Sequence, residues 1–131
     1  MATIFAKIIK GEIPSYKIAE NDLFYAFLDI SPLAKGHTLV VPKQEIDYIF
    51  DLDDDLLGGM MIFSKRVAKA IQSVVPCNRV AMMVAGLAVP HAHMHLLPIQ
   101  TEKDLLLSNP RVELIDEEFT ELAEAIGKAF I

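Results

Sequence analysis

Apolar positions change their rhythm several times along the chain, and each change marks an element. Ile4, Phe5, Ile8 and Ile9 share one helical face within residues 2–10, and Gly11 and Pro14 end that short helix. Tyr16 to Ala19 reads as a short strand, with a hairpin turn at Glu20-Asn21-Asp22. A dense apolar and aromatic run of strand length follows from Leu23 to Ile30, broken by Ser31-Pro32. Lys35-Gly36 predicts another turn, and His37 to Val41 a β-branched strand stopped by Pro42. Residues 51–75 carry helical spacing through Met60, Phe63, Val67, Ala70, Ile71 and Val74, ahead of Pro76. Asp53, Asp54 and Asp55 suit the start of that helix, and Gly58-Gly59 is its weak point. Arg79 to Ala85 predicts a strand, Gly86 a turn or bulge, and His91 to Ile99 the last strand. Asp116 then caps a terminal helix that buries Phe119, Leu122, Ala123, Ile126 and Phe130. Strands grouped between helices in this order predict an α+β fold with a mostly antiparallel sheet, as one domain over residues 1–131.

Composition narrows the function classes. The chain is 53% hydrophobic, enough for a core in 131 residues. Its formal charge of -6, with no basic block, argues against nucleic acid or an anionic membrane as partner. The lone Cys77 excludes a disulfide framework and a four-cysteine zinc site. No export signal or spanning stretch is evident, so the expected compartment is the cytoplasm. The methionines read as core filling, and Lys65, Arg66 and Lys69 as a solvated helix face.

Histidine is what this composition leaves unexplained. Three of the four histidines fall at positions 91, 93 and 95. Alternation along a strand puts His91, His93 and His95 on one face, with Ala92, Met94 and Leu96 on the other. Two chemistries compete for them. Zinc needs nitrogens about 2.0–2.1 Å from the ion. Residues i and i+2 on a strand are about 6.6 Å apart and can converge, whereas i and i+4 are about 13 Å apart. A metal site would therefore use two of the three plus His37. Nucleophilic attack on phosphorus uses all three: a neutral imidazole attacks, and its neighbours orient it and donate to phosphoryl oxygens. His37 then supplies a supporting contact from the neighbouring strand.

His91-Ala92-His93-Met94-His95-Leu96-Leu97 resembles the signature of the histidine triad (HIT) family, alternating histidine with hydrophobic residues. The resemblance extends upstream through Ile4-Phe5-Ala6-Lys7-Ile8-Ile9, Gly11-Glu12-Ile13-Pro14, Phe27-Leu28-Asp29-Ile30-Ser31-Pro32 and Gly36-His37-Thr38-Leu39-Val40-Val41-Pro42-Lys43. It implies a HIT-like fold that pairs as a homodimer through its sheet. The implied activity is that of a nucleotide-binding hydrolase or transferase acting at the α-phosphorus of nucleoside phosphoramidates or related conjugates. The implied partner is a purine nucleoside monophosphate or its conjugate, with no cofactor required.

The same resemblance assigns His93 as the nucleophile that forms a nucleotidyl-histidine, His95 as a phosphate contact, His91 as its holder and His37 as support. Asp29 and Ile30 match the ribose and base contacts, and Ile4, Phe5, Ile8, Phe27 and Leu28 the apolar wall. Gly86, Leu87 and Ala88 match the loop before the triad. There the chain departs from many relatives: Gly86 keeps backbone N–H groups for a phosphate, but Leu87 and Ala88 have no side-chain donor for a leaving group. Two alternatives follow: a slow or inactive nucleotide-binding or interaction module, and a His-ligated metalloprotein.

Overall fold

The computed structural model describes residues 2–131. Its elements are α1 (Ile4–Ile9), β1 (Lys17–Glu20), β2 (Phe24–Leu28), β3 (Thr38–Pro42), α2 (Asp54–Val74), β4 (Arg79–Met83), β5 (Met94–Ile99) and α3 (Asp116–Ala129). Short 3-10 turns cover Ile49–Asp51 and Glu102–Leu105. The five strands form one sheet in the order β1-β2-β3-β5-β4. Every neighbouring pair is antiparallel, the α+β arrangement that the grouping of elements implied.

Both faces of the sheet are covered in its middle, which explains why β2 and β3 are buried at every position. Phe24, Ala26, Leu28, Val40, Met94 and Leu96 meet Met60, Phe63, Val67 and Ile71 of α2 and Phe119, Leu122 and Ile126 of α3. On the opposite face Tyr25, Phe27, Leu39 and Val41 pack with Phe5 and Ile8 of α1. Period-2 alternation thus splits each central strand between two cores. The second core is smaller, and beside it lie the histidines.

Several boundaries differ from the sequence reading. The long helix starts at Asp54, because Asp53 stays extended and its side chain accepts the Leu56 N–H at 2.7 Å as the N-cap. Gly58 and Gly59 do not interrupt it; Gly59 lets α2 approach the Phe24 ring, which an added Cβ would meet at 3.3 Å. β4 ends at Met83, two residues early. Ile115, rather than Asp116, is the cap residue of α3, its N–H accepted by Glu118. Asp116 instead accepts the Tyr16 hydroxyl proton.

The largest correction concerns β5, which begins at Met94 and leaves His91 and His93 outside the ladder. Regular pairing with β3 starts at Val40↔Met94. Before that point the Ala92 N–H donates to the Ile46 carbonyl at 2.7 Å, and the His91 N–H to the Val89 carbonyl at 2.8 Å. The Pro42 carbonyl takes the His91 ring at 2.8 Å. Side-chain alternation nevertheless persists through the irregular stretch: Ala92 and Met94 join the α2 core, while the imidazoles gather on the other side.

Candidate active site

The four histidine rings are tied to partners whose proton direction is known, so their tautomers follow. A carbonyl only accepts and a backbone amide only donates. His93 Nδ1 lies 2.7 Å from the His91 carbonyl and therefore carries the proton. Nε2 of neutral His93 is then a lone pair. His91 Nε2 donates to the Pro42 carbonyl at 2.8 Å, which makes Nδ1 the acceptor. His37 Nδ1 accepts the Leu33 N–H at 3.0 Å, so its proton is on Nε2, donated to His95 Nδ1 at 2.9 Å. His95 in turn keeps its proton on Nε2. One lone pair, on His93, and one free N–H, on His95, result from a chain of bonds with a single consistent direction.

Burial supports the neutral forms of His37, His91 and His95. His37 and His91 are fully buried and His93 nearly so, while His95 is half-buried. Desolvation pulls His37 down to about 4, helped by the nearby Arg111 charge. His95 is also lowered to about 4, by burial first and then by the neighbouring rings His37 and His93. His91 is lowered for the same first reason, against the opposing pull of the Pro42 carbonyl and Glu45.

Asp29 ends the β2 side of the site. Its Oδ1 accepts the Ser31 N–H at 2.8 Å, and its Oδ2 stands 3.6 Å from His37 Nε2, too far for a hydrogen bond. Burial raises its carboxyl above the ordinary value, partly offset by the Ser31 N–H. Asp29, His37 and His95 place ligand-type atoms within 4.8 Å of one another. This set does not suit a zinc ion. Each neutral imidazole has a single lone pair; that of His37 is occupied by Leu33 N–H and that of His95 Nδ1 by His37. Freeing His37 Nε2 for a metal would move its proton to Nδ1, opposite the Leu33 N–H. Nor does the set include His93, which the metal alternative could have used.

Of the apolar residues assigned to the wall, Phe5, Ile8 and Phe27 come together. The Phe5 ring packs edge-on to Phe27 at 5.6 Å and to His93 at 5.1 Å. Ile4 is half exposed and Ile30 is 74% exposed, beside Asp29. Leu28 does not join this wall: its parity turns it into the α2 core, where it is 1% exposed. Gly86 has φ +83°, the left-handed region that favours glycine, and nothing lies within 4 Å of where a Cβ would stand. Leu87 is 97% exposed and Ala88 is exposed as well. A cavity of about 410 Å³ beside His93 is lined by Tyr48, Phe50, Leu57, Val84, Gly86 and Leu87 among others. Two contacts escaped sequence reasoning, the Thr3 hydroxyl on His91 and the Pro42 carbonyl on the same ring. Neither residue type is distinctive in a sequence.

Three imidazoles at alternating positions running into β5, with His37 just before β3 bonded to His95 and a lone pair left on His93, define the class of histidine-triad proteins. Residues 10–102 match the family model described as the HIT domain. An adenosine 5'-monophosphoramidase of Saccharomyces cerevisiae is 43% identical over 110 residues, covering 81% of this chain and 68% of that protein. One of the same name from Schizosaccharomyces pombe is 37% identical and covers 97% of each. Among solved structures, a HIT-like protein of Bartonella henselae is similar at TM-score 0.83 and 31% identity, covering 98% of this chain and 96% of that one. The chain belongs to the HIT family.

Proposed function

We propose that this protein is a nucleotide hydrolase of the phosphoramidase type, acting at the α-phosphorus through a covalent nucleotidyl-histidine on His93. The observation that carries the reading is the 2.7 Å bond from His93 Nδ1–H to the His91 carbonyl, which leaves Nε2 as the nucleophilic lone pair. The names of the yeast relatives, adenosine 5'-monophosphoramidases, support it.

In the first step Nε2 attacks phosphorus, a P–Nε2 bond forms and the bond to the leaving amine breaks, the amine taking a proton from solvent as it departs. In the second, water attacks and returns a proton to solvent, the P–Nε2 bond breaks to leave neutral His93, and the nucleoside monophosphate leaves. Two in-line displacements retain configuration at phosphorus. His95 Nε2–H is the donor to a phosphoryl oxygen, its ring centroid 5.1 Å from that of His93. The net charge of -6 offers an anionic nucleotide no global attraction, so capture falls to such local donors and the Gly86 backbone. The wall of Phe5, Ile8 and Phe27 is the proposed seat of a purine base, supported by its apolar packing, and the Asp29 carboxylate can accept both ribose hydroxyls. No metal or other cofactor enters this scheme, in keeping with the occupied lone pairs of His37 and His95.

A homodimer through β4 belongs to the same proposal. β4 is an edge strand, and Met61, Ile62, Met82 and Val84 expose apolar surface along it and the adjoining face of α2. No helix among the described residues is long and apolar enough to cross a membrane. The cytoplasm is the proposed compartment, and the unpaired thiol of Cys77 is compatible with its reducing conditions.

One observation favours a second reading. Leu87 and Ala88 supply no side-chain donor for the departing group, which suits a nucleotide-binding module with little turnover. Assaying a panel of adenosine and guanosine phosphoramidates for released amine separates the two. Steady release supports the hydrolase, whereas tight nucleotide binding with no release from any conjugate overturns it.

A further inference from the structure

The residue that caps α1 also reaches the triad. Thr3 Oγ1 accepts the Ala6 N–H at 3.0 Å and lies 2.9 Å from His91 Nδ1. The Thr3 N–H is held by Glu45 Oε1 at 2.8 Å, so the hydroxyl is fixed from its own backbone as well. With Oγ1 already accepting from Ala6, the hydroxyl proton goes to the lone pair on His91 Nδ1. Beyond the ring, Nε2–H reaches the Pro42 carbonyl at 2.8 Å, and the His91 carbonyl receives His93 Nδ1–H at 2.7 Å. Helix cap, first histidine and nucleophile therefore form one series of hydrogen bonds.

We propose that Thr3 is a positioning residue for phosphoryl transfer. Its hydroxyl proton locks His91 in the Nε2–H form and clamps the peptide whose carbonyl aims His93. The same side chain starts the helix that carries Phe5 and Ile8, so the apolar wall and the nucleophile share one anchor. The effect on rate rests on the reading of His93 as nucleophile, whereas the effect on the His91 ring does not.

Capping and positioning can be separated by chemistry. Aspartate caps helices as well as threonine does, but its carboxylate only accepts. Thr3→Asp therefore keeps the Ala6 bond and sets an acceptor against the His91 lone pair. His91 is faced by the Glu45 carboxylate, the Pro42 carbonyl, the Phe5 ring edge and the His93 ring. With a second carboxylate added, the ring takes up a proton on Nδ1.

The experiment combines steady-state kinetics on adenosine 5'-phosphoramidate with ¹⁵N spectra of the histidine rings in the free protein. For Thr3→Asp the expected result is a kcat lower by roughly tenfold or more, the scale of altering a histidine's supporting contact, because a protonated His91 stands beside a His93 ring that must itself become cationic as it bonds phosphorus. KM stays within about twofold, and His91 becomes doubly protonated at neutral pH. Thr3→Ser, which keeps the hydroxyl, recovers both kcat and the neutral ring. A Thr3→Asp protein with wild-type kcat, a loss confined to KM, or an unchanged His91 ring would overturn the proposal. Should the wild type release no amine, the hydrolase reading falls, and the ring spectra still decide the role of Thr3.

Discussion

His37 donates its Nε2 proton to Nδ1 of His95 across 2.9 Å, joining two rings 58 positions apart in the chain. The bond settles which nitrogen of His95 remains a donor, and Leu33 N–H settles the direction of the bond. His37 thus acts on His95, the proposed phosphate contact, rather than on His93, the proposed nucleophile.

Replacing His37 with phenylalanine keeps the ring and removes both bonds. The Leu33 N–H and His95 Nδ1 lose their partners. Stability should fall by about 1–3 kcal/mol for an orphaned buried donor. In steady-state assays kcat should fall by roughly 10–100-fold, with a smaller change in KM. An unchanged kcat would show that His95 needs no orienting partner.

Stability should also depend on pH through the same rings. His37 and His95 are lowered to about 4 in the folded protein, against about 6.5 in an unfolded chain. The unfolded state then binds more protons between those values, so stability rises with pH across that window. The contribution is complete above about pH 6.5 and is lost as pH falls through about 4. Asp29, raised by burial, works in the opposite sense. Thermal melts across that window should show Tm falling on acidification, with a shallower slope in His37→Phe. Equal slopes would contradict the assignment.

Asp29→Asn tests the ribose contact. Asparagine keeps an acceptor for the Ser31 N–H but can no longer accept from both hydroxyls as a carboxylate. KM for a ribonucleoside phosphoramidate should rise about tenfold, the scale of one charge-assisted bond. A 2',3'-dideoxy substrate should lose nothing further on the same substitution. Equal effects on both would place the ribose elsewhere.

The exposed β4 edge predicts a dimer whose mass in light scattering is that of two chains. Met82→Glu puts a charge into its apolar surface and should shift the protein to monomer at micromolar concentration. A wild-type monomer at that concentration would remove the dimer from the account.

Much of this architecture was legible from periodicity. The 3.6-residue rhythm of Met60, Phe63, Val67 and Ile71 located α2, and period-2 alternation put His91, His93 and His95 on one side. Alternation alone could not show that the ladder begins at Met94, because Ile46 and Pro42 take the bonds a strand would have used. Alternation does separate Leu28 from its neighbour Phe27, as the two cores show; it is the family resemblance that groups both in one wall. The tautomers were the least legible feature. They depend on the carbonyls of Pro42 and His91, the N–H of Leu33 and the hydroxyl of Thr3, groups that only the folded backbone brings within reach.

The central claim is that the lone pair on His93 Nε2 becomes a bond to phosphorus. Rapid mixing with adenosine 5'-phosphoramidate, acid quench and intact mass spectrometry reads this directly. The account predicts one adenylyl group on the wild-type chain, mapped by peptide fragmentation to His93 and absent from His93→Ala, whose amine release is abolished. Equal turnover by wild type and His93→Ala, or an adenylyl group on another residue, would contradict it.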